Sequence, residues 1–194
     1  MIRFMPLALA AALLAGCATT PRAGPVDVTR FHLGAPAAGD TIRVEPATAY
    51  AGVSPEDQTY VSAVSGELAQ LGYVPAAGDS PATYVAAVSY KRIPRGTIRK
   101  RPPITIGIGG GSFGGNVGVG GGASFGIGGG RAEVIATELI VQLKRRSDGT
   151  IMWEGRAVTE SLNEGGEPVT TPQRLAHAMF KGFPGESGIT ITVK

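Results

Sequence analysis

The sequence predicts an α+β domain: a mostly antiparallel sheet of about five to six strands, two helices packed on one face, and a glycine-rich hairpin insertion. Three observations lead there. Short segments alternate apolar and polar residues with a period of two. Two longer segments open on a hydroxyl residue followed by proline and close on glycine, as helices do. Between two of the alternating segments lies a stretch of almost pure glycine.

Val26 to Phe31 (VDVTRF) and Thr41 to Val44 (TIRV) alternate as strands, joined by a loop containing Pro and Gly. Ser54-Pro55-Glu56-Asp57 then starts a helix. Ser54 can cap the free amides, Pro55 suits the first helical position, and the two acids complement the dipole. Val61, Val64, Leu68 and Leu71 fall on one apolar face, and Gly72 stops the helix as a left-handed cap. Thr83 to Ile93 reads as a strand, with Tyr84, Ala86, Val88 and Tyr90 on one side. Glu133 to Lys144 reads as another; helix is the alternative there, but β-branched residues favour strand. Ser147-Asp148-Gly149-Thr150 supplies a hairpin turn, and Ile151 to Thr159 returns antiparallel with Trp153 on the core face. Thr171-Pro172 opens the second helix with the same cap pattern. It runs to about Lys181 and is ended by Gly182 and Pro184. Ile189 to Val193 alternates as a last strand. The expected order is β-β-α-β-β-β-α-β.

The N-terminus has the layout of a secretory signal peptide over residues 1–16, with Arg3 before the apolar run Leu7 to Leu14. That run is too short to span a hydrocarbon core, which takes roughly 20 residues. Leu14-Ala15-Gly16-Cys17 follows, and it resembles the lipobox of bacterial lipoproteins. Leu14, Ala15 and Gly16 would be the peptidase recognition residues, the last two small enough for a narrow site, and Cys17 would be the lipid-attachment residue. The alternative is an ordinary signal peptide cut at an Ala-x-Ala site such as Ala10-Ala11-Ala12. Cys17 is the only cysteine in the chain, so no disulfide framework can form within it. Multiple acyl chains exceed what stable anchoring requires. Ala18 is not the aspartate that retains lipoproteins at the inner membrane, so the resemblance implies the outer membrane, facing the periplasm. Residues 17–25 read as a lipidated tether and 26–194 as one α+β domain with its insertion at 102–131.

The insertion holds 14 glycines in the 24 positions 107–130. Such a segment loses much entropy on ordering and buries little, so a solvated loop is the default expectation. Ile104, Ile106 and Ile108 nevertheless alternate with small residues, as strand extensions would. Gly109, Gly111 and Gly114 match the dinucleotide fingerprint by spacing, but glycine continues where that fingerprint needs a helix. A membrane-touching hairpin using Phe113 and Phe125, and a self-associating strand region, are the sharper readings. Just before it, Lys91, Arg92, Arg95, Arg99, Lys100 and Arg101 place six cations in eleven residues, without an acid. They are candidates for contact with anionic lipid headgroups or peptidoglycan carboxylates; a solvated basic loop is the plain alternative. Nucleic acid is disfavoured by the export signal and by the lack of interleaved aromatics.

No catalytic constellation stands out. His32 and His177 lack companions at ligand spacing, no zinc or EF-hand pattern occurs, and no metal or cofactor is expected. His177 reads as a packing or surface residue. Glu154, Glu160 and Glu164 could include a carboxylate pair, though exposed strand carboxylates are usually solvated. No enzyme activity is expected.

Several motifs together resemble the DUF4136 lipoproteins, which are envelope proteins of unknown function. They are the lipobox, the capped helix ending Leu71-Gly72-Tyr73, and the strand Tyr84 to Tyr90. The glycine-rich insertion, Ile-x-Trp-x-Gly-x-Ala at Ile151 to Ala157, and a closing helix ending Phe183-Pro184-Gly185 follow. The resemblance covers about residues 26–185. It implies fold and localisation and brings no catalytic residues. Gly155, between Trp153 and Ala157, is expected to let a helix or ring approach the sheet. The expectation is a non-enzymatic, membrane-anchored lipoprotein that binds or organises another envelope component, with a small-molecule or lipid carrier as the alternative.

Overall fold

The computed structural model describes residues 24–34, 36, 38–48, 52–78, 80–99, 104–109, 122–127, 130–163 and 170–194. Residues 1–16, expected to be a signal peptide, lie outside the described residues, as do Cys17 and most of the expected tether, Lys100, Arg101, Glu164 and the centre of the insertion. The elements in chain order are β1 (Val26–His32), β2 (Thr41–Pro46), α1 (Pro55–Gln70), β3 (Val74–Pro75), β4 (Tyr84–Arg99), β5 (Ile104–Gly109), β6 (Gly122–Ile127), β7 (Arg131–Arg145), β8 (Ile151–Leu162), α2 (Thr171–Phe180) and β9 (Thr190–Val193).

The α+β class with two helices is as expected, but the sheet differs in two respects. It has seven strands, in the order β3-β2-β4-β7-β8-β1-β9, and it is mixed. β2 runs parallel to both β3 and β4. The cause is α1, which carries the chain from the end of β2 back to the start of β4, so the strand after the helix points the same way. β3 adds two residues, too few to show any period in sequence. β5 and β6 form a separate two-stranded sheet.

α1 starts as its sequence dictates. Ser54 Oγ accepts from the Asp57 amide at 3.0 Å, and the Asp57 carboxylate accepts from the Ser54 amide at 2.8 Å, a full capping box. Gly72, with φ of 91°, follows the last turn. α2 departs from its expected start: Thr170 is the cap residue, in helical geometry and without a side-chain cap bond, so Pro172 alone marks the entry.

Both helices lie against one side of the sheet and pack on each other. Register puts Val26, Val28 and Arg30 of β1, Trp153, Gly155, Ala157 and Thr159 of β8, and Thr137, Leu139, Val141 and Leu143 of β7 on this side. Most are fully buried, and Trp153 is the largest of them. Its ring lies 5.3 Å from those of both Phe180 and Phe183, and its indole N–H donates to the Pro184 carbonyl at 3.0 Å. Gly155 is where this packing forces the residue type. A Cβ there would sit 2.2 Å from the Trp153 ring and 2.9 Å from Met179 Cγ, so only glycine leaves room for ring and helix over the strand.

Candidate functional site: the tether end and the cationic arm

One row of the ladder organises this end of the molecule. Val26 pairs with Thr159, Thr159 with Thr137, and Thr137 with Arg92. β1 therefore begins level with Arg92, at the end of the sheet where β8 and then β4 and β7 run on past it. β4 was expected to stop at Ile93. It continues to Arg99, paired with β7 throughout, across an irregularity between Pro94 and Gly96. The cations expected on a loop thus stand on a strand; β8 flanks β7 as far as Leu162, opposite Val134, and only Thr97 to Arg99 with Arg131 to Glu133 form a two-stranded arm. Those three residues, at about 3.3 Å each, carry the arm about 10 Å past β8.

The start of β1 is fastened in the row of Thr159. The Thr159 hydroxyl donates to the Pro25 carbonyl at 3.0 Å, and Arg174 of α2 donates to the Gly24 carbonyl at 2.6 Å. A Cβ on Gly24 would lie 2.9 Å from the Glu160 carbonyl, so the incoming chain runs close beside β8.

The structure sorts the four described cations of the basic cluster. Arg92 bonds the Glu56 carboxylate in the first turn of α1, tying β4 to the helix. Arg95 pairs with Glu160 of β8 at 3.8 Å. Lys91 faces Glu138 across the ladder, and Glu138 itself pairs with Arg156 at 3.1 Å. Arg99 differs: its cross-strand partner is Arg131, two like charges directly opposite. Among the described residues no carboxylate pairs with either. Arg131 closes the expected insertion, and only the β4–β7 register shows that it belongs with the cluster.

A second arginine was also missed. Arg30 is only 4 % exposed and lies under the C-terminus of α2. It donates to the carbonyls of Met179 at 2.9 Å, Ala178 at 3.2 Å and Lys181 at 2.9 Å. These carbonyls end the helix at its negative pole, where a cation is favoured. Burial lowers its pKa from the ordinary arginine value, leaving it protonated at any physiological pH. Gly185, at a φ of 80°, crosses the guanidinium so closely that a Cβ would lie 2.4 Å from Nη1. His32 bonds the Gly185 carbonyl at 3.1 Å, so the loop after α2 is sewn to β1.

Burial pushes the Tyr73 phenol up to about 12, and its hydroxyl donates to the Pro36 carbonyl. His177 lies on the surface, 3.3 Å from Glu67 of α1. Of the carboxylates weighed as a pair, Glu154 accepts from Gln142 and Glu160 faces Arg95. Among the described residues, clefts also open elsewhere. One of about 470 Å³, at the opposite end of the sheet, is lined by Thr83, Tyr84, Arg145 and Ser147 among others. One of about 240 Å³, between α1 and β2, is lined by Arg43, Ser65 and Tyr73 among others. Among the described residues no three His, Cys, Asp or Glu side chains gather as a metal site requires, and no helix is long and apolar enough to cross a membrane.

An α+β domain with a two-helix layer and a projecting hairpin arm is the class that this geometry defines. The family model of DUF4136, a domain of unknown function, matches residues 38–185, and the chain belongs to that family. The match begins after β1, later than the residue 26 expected from sequence. An uncharacterised protein of Zymomonas mobilis is 48 % identical over 62 residues, which are 31 % of this chain and 23 % of that protein's length. Among solved structures, a PDZ domain protein from Parabacteroides distasonis matches with a TM-score of 0.46 at 10 % identity. The match covers 96 % of this chain and 42 % of that one. A point variant of the PelC dodecamer from Paraburkholderia phytofirmans matches with a TM-score of 0.44 at 14 % identity, covering 79 % and 93 %.

Proposed function

We propose that the protein is a non-enzymatic lipoprotein of the bacterial envelope. It is acylated at Cys17, held at the outer membrane on its periplasmic side, and binds or organises another envelope component. The observation that carries this reading is the coincidence of two features at one end of the sheet. The segment leading from Cys17 enters at Gly24, and the cationic stretch of β4 runs out past the same end of the sheet toward the arm. Six residues separate Cys17 from Gly24, and the seven steps reach at most about 25 Å. An anchor on Cys17 therefore holds the arm end of the domain within about 25 Å of the lipid.

The test is cell fractionation with metabolic fatty-acid labelling. The wild-type chain is expected to take up label and sediment with outer membranes. Cys17→Ser is expected to lose the label and either leave the membrane or persist as unprocessed precursor. Label uptake by Cys17→Ser, or wild-type chain without label, would refute the anchor.

A further inference from the structure

We propose that the β5–β6 ribbon, collared by Arg99 and Arg131, is a second and non-covalent membrane contact that seats in the headgroup layer of an anionic lipid bilayer. The orientation rests on the anchor proposed above; the ribbon's affinity for lipid does not.

The first observation is the register of the ribbon. Ile104 pairs with Ile127, Ile106 with Phe125, and Ile108 with Ala123. Positions along a strand alternate between faces, so these six share one face, while Thr105, Gly107, Gly109, Gly122, Ser124 and Gly126 share the other. One face is thus wholly apolar by sequence and the other carries only glycine and hydroxyl residues. A two-stranded ribbon is marginal in water by itself, and these strands are hydrogen-bonded to no strand of the main sheet. An apolar–polar interface supplies what the ribbon lacks, burying one face while the other stays wet.

The second observation is the charge at the ribbon's base. β5 follows β4, and β7 follows β6, so the ribbon is entered and left past Arg99 and Arg131, with Lys100 and Arg101 next in sequence. Opposed arginines repel within the ladder, and a phosphate between them removes that cost. Cations just above an apolar segment are the arrangement that attracts anionic headgroups. Arg92 and Arg95, nearer the sheet, are engaged with Glu56 and Glu160, so the lipid contact belongs to the outer pair.

The test uses the chain from Ala18 to Lys194, which retains every described element but lacks Cys17. A failure here therefore leaves the anchor standing, and loss of the anchor leaves this result untouched. Flotation with vesicles of phosphatidylcholine containing phosphatidylglycerol is expected to recover the protein, with binding falling as salt rises. Arg99→Glu with Arg131→Glu is expected to weaken binding at least tenfold. Ile106→Asp with Phe125→Asp is expected to abolish it while thermal unfolding of the main sheet is unchanged. Phe125→Trp should be quenched by brominated lipid. No flotation of the wild-type chain, no quenching, or equal binding by the Ile106→Asp/Phe125→Asp variant would each overturn the proposal. So would concentration-dependent association through the ribbon that excludes lipid.

Discussion

Replacing Arg30 removes the group that closes the C-terminal end of α2. In Arg30→Ala the carbonyls of Ala178 and Met179 lose a buried, charge-assisted donor, and the Lys181 carbonyl loses one in a partly buried place. A buried acceptor left without a partner costs about 1–3 kcal/mol, and the third carbonyl costs less because water reaches it. The sum is about 3–5 kcal/mol, a large share of the stability of a domain this size. For a chain of this length that corresponds to a fall in Tm of about 10 °C. The assay is urea unfolding followed by the fluorescence of Trp153, the only tryptophan, which packs on Phe180 and Phe183 beside the same loop. Arg30→Met separates packing from bonding, since it keeps much of the stem but offers no donor. It is expected to lose nearly as much as Arg30→Ala. Stability of Arg30→Met within about 0.5 kcal/mol of wild type would show that the guanidinium–carbonyl bonds are not what holds this end together.

Gly155→Ala places a methyl inside the contact of Trp153 with Met179, and the expected loss is at least the 1–3 kcal/mol of an overpacked core, read from the urea midpoint. Wild-type stability in that variant would mean that ring and helix can move apart freely. The capping carboxylate of Asp57 gives a pH dependence. Its pKa is held below the ordinary 3.8 by the side-chain and backbone bonds of Ser54. The stability it adds is therefore complete above the unfolded pKa and is lost as pH falls through the lower, folded one. Asp57→Asn is expected to remove that part of the acid sensitivity while neutral-pH helicity falls slightly; acid curves that superimpose would count against the cap.

The parts of the fold that are legible in the sequence are those fixed by neighbours along the chain. Ser54, Pro55 and Asp57 announce α1 because each acts within three residues. Trp153 and Gly155 announce a close approach because a small residue beside a large one has few other uses in a strand. What the sequence conceals depends on partners far away. Arg30 sits in a short alternating strand like any outward charge, yet its acceptors lie about 150 residues downstream. The far half of β4 is hidden by Pro94 and Gly96, which break the alternation although pairing with β7 continues past them. The parallel edge follows from where α1 delivers the chain, which no periodicity records. Of the basic cluster, composition alone cannot distinguish Arg92 and Arg95, which have acidic partners across the fold, from Arg99, which faces another arginine.

The way β1 enters the sheet has a mechanical consequence. Any pull on the segment before Gly24 runs along the axis of a strand paired over seven residues with β8 on one side and over four with β9 on the other. The load falls on these ladders in shear, so many hydrogen bonds must yield together instead of opening one at a time. The fastening of Gly24 and Pro25 by Arg174 and Thr159 takes up the first of that load before it reaches the ladder. Under the anchor proposed at Cys17, drag on the domain would be resisted at the point where it is hung.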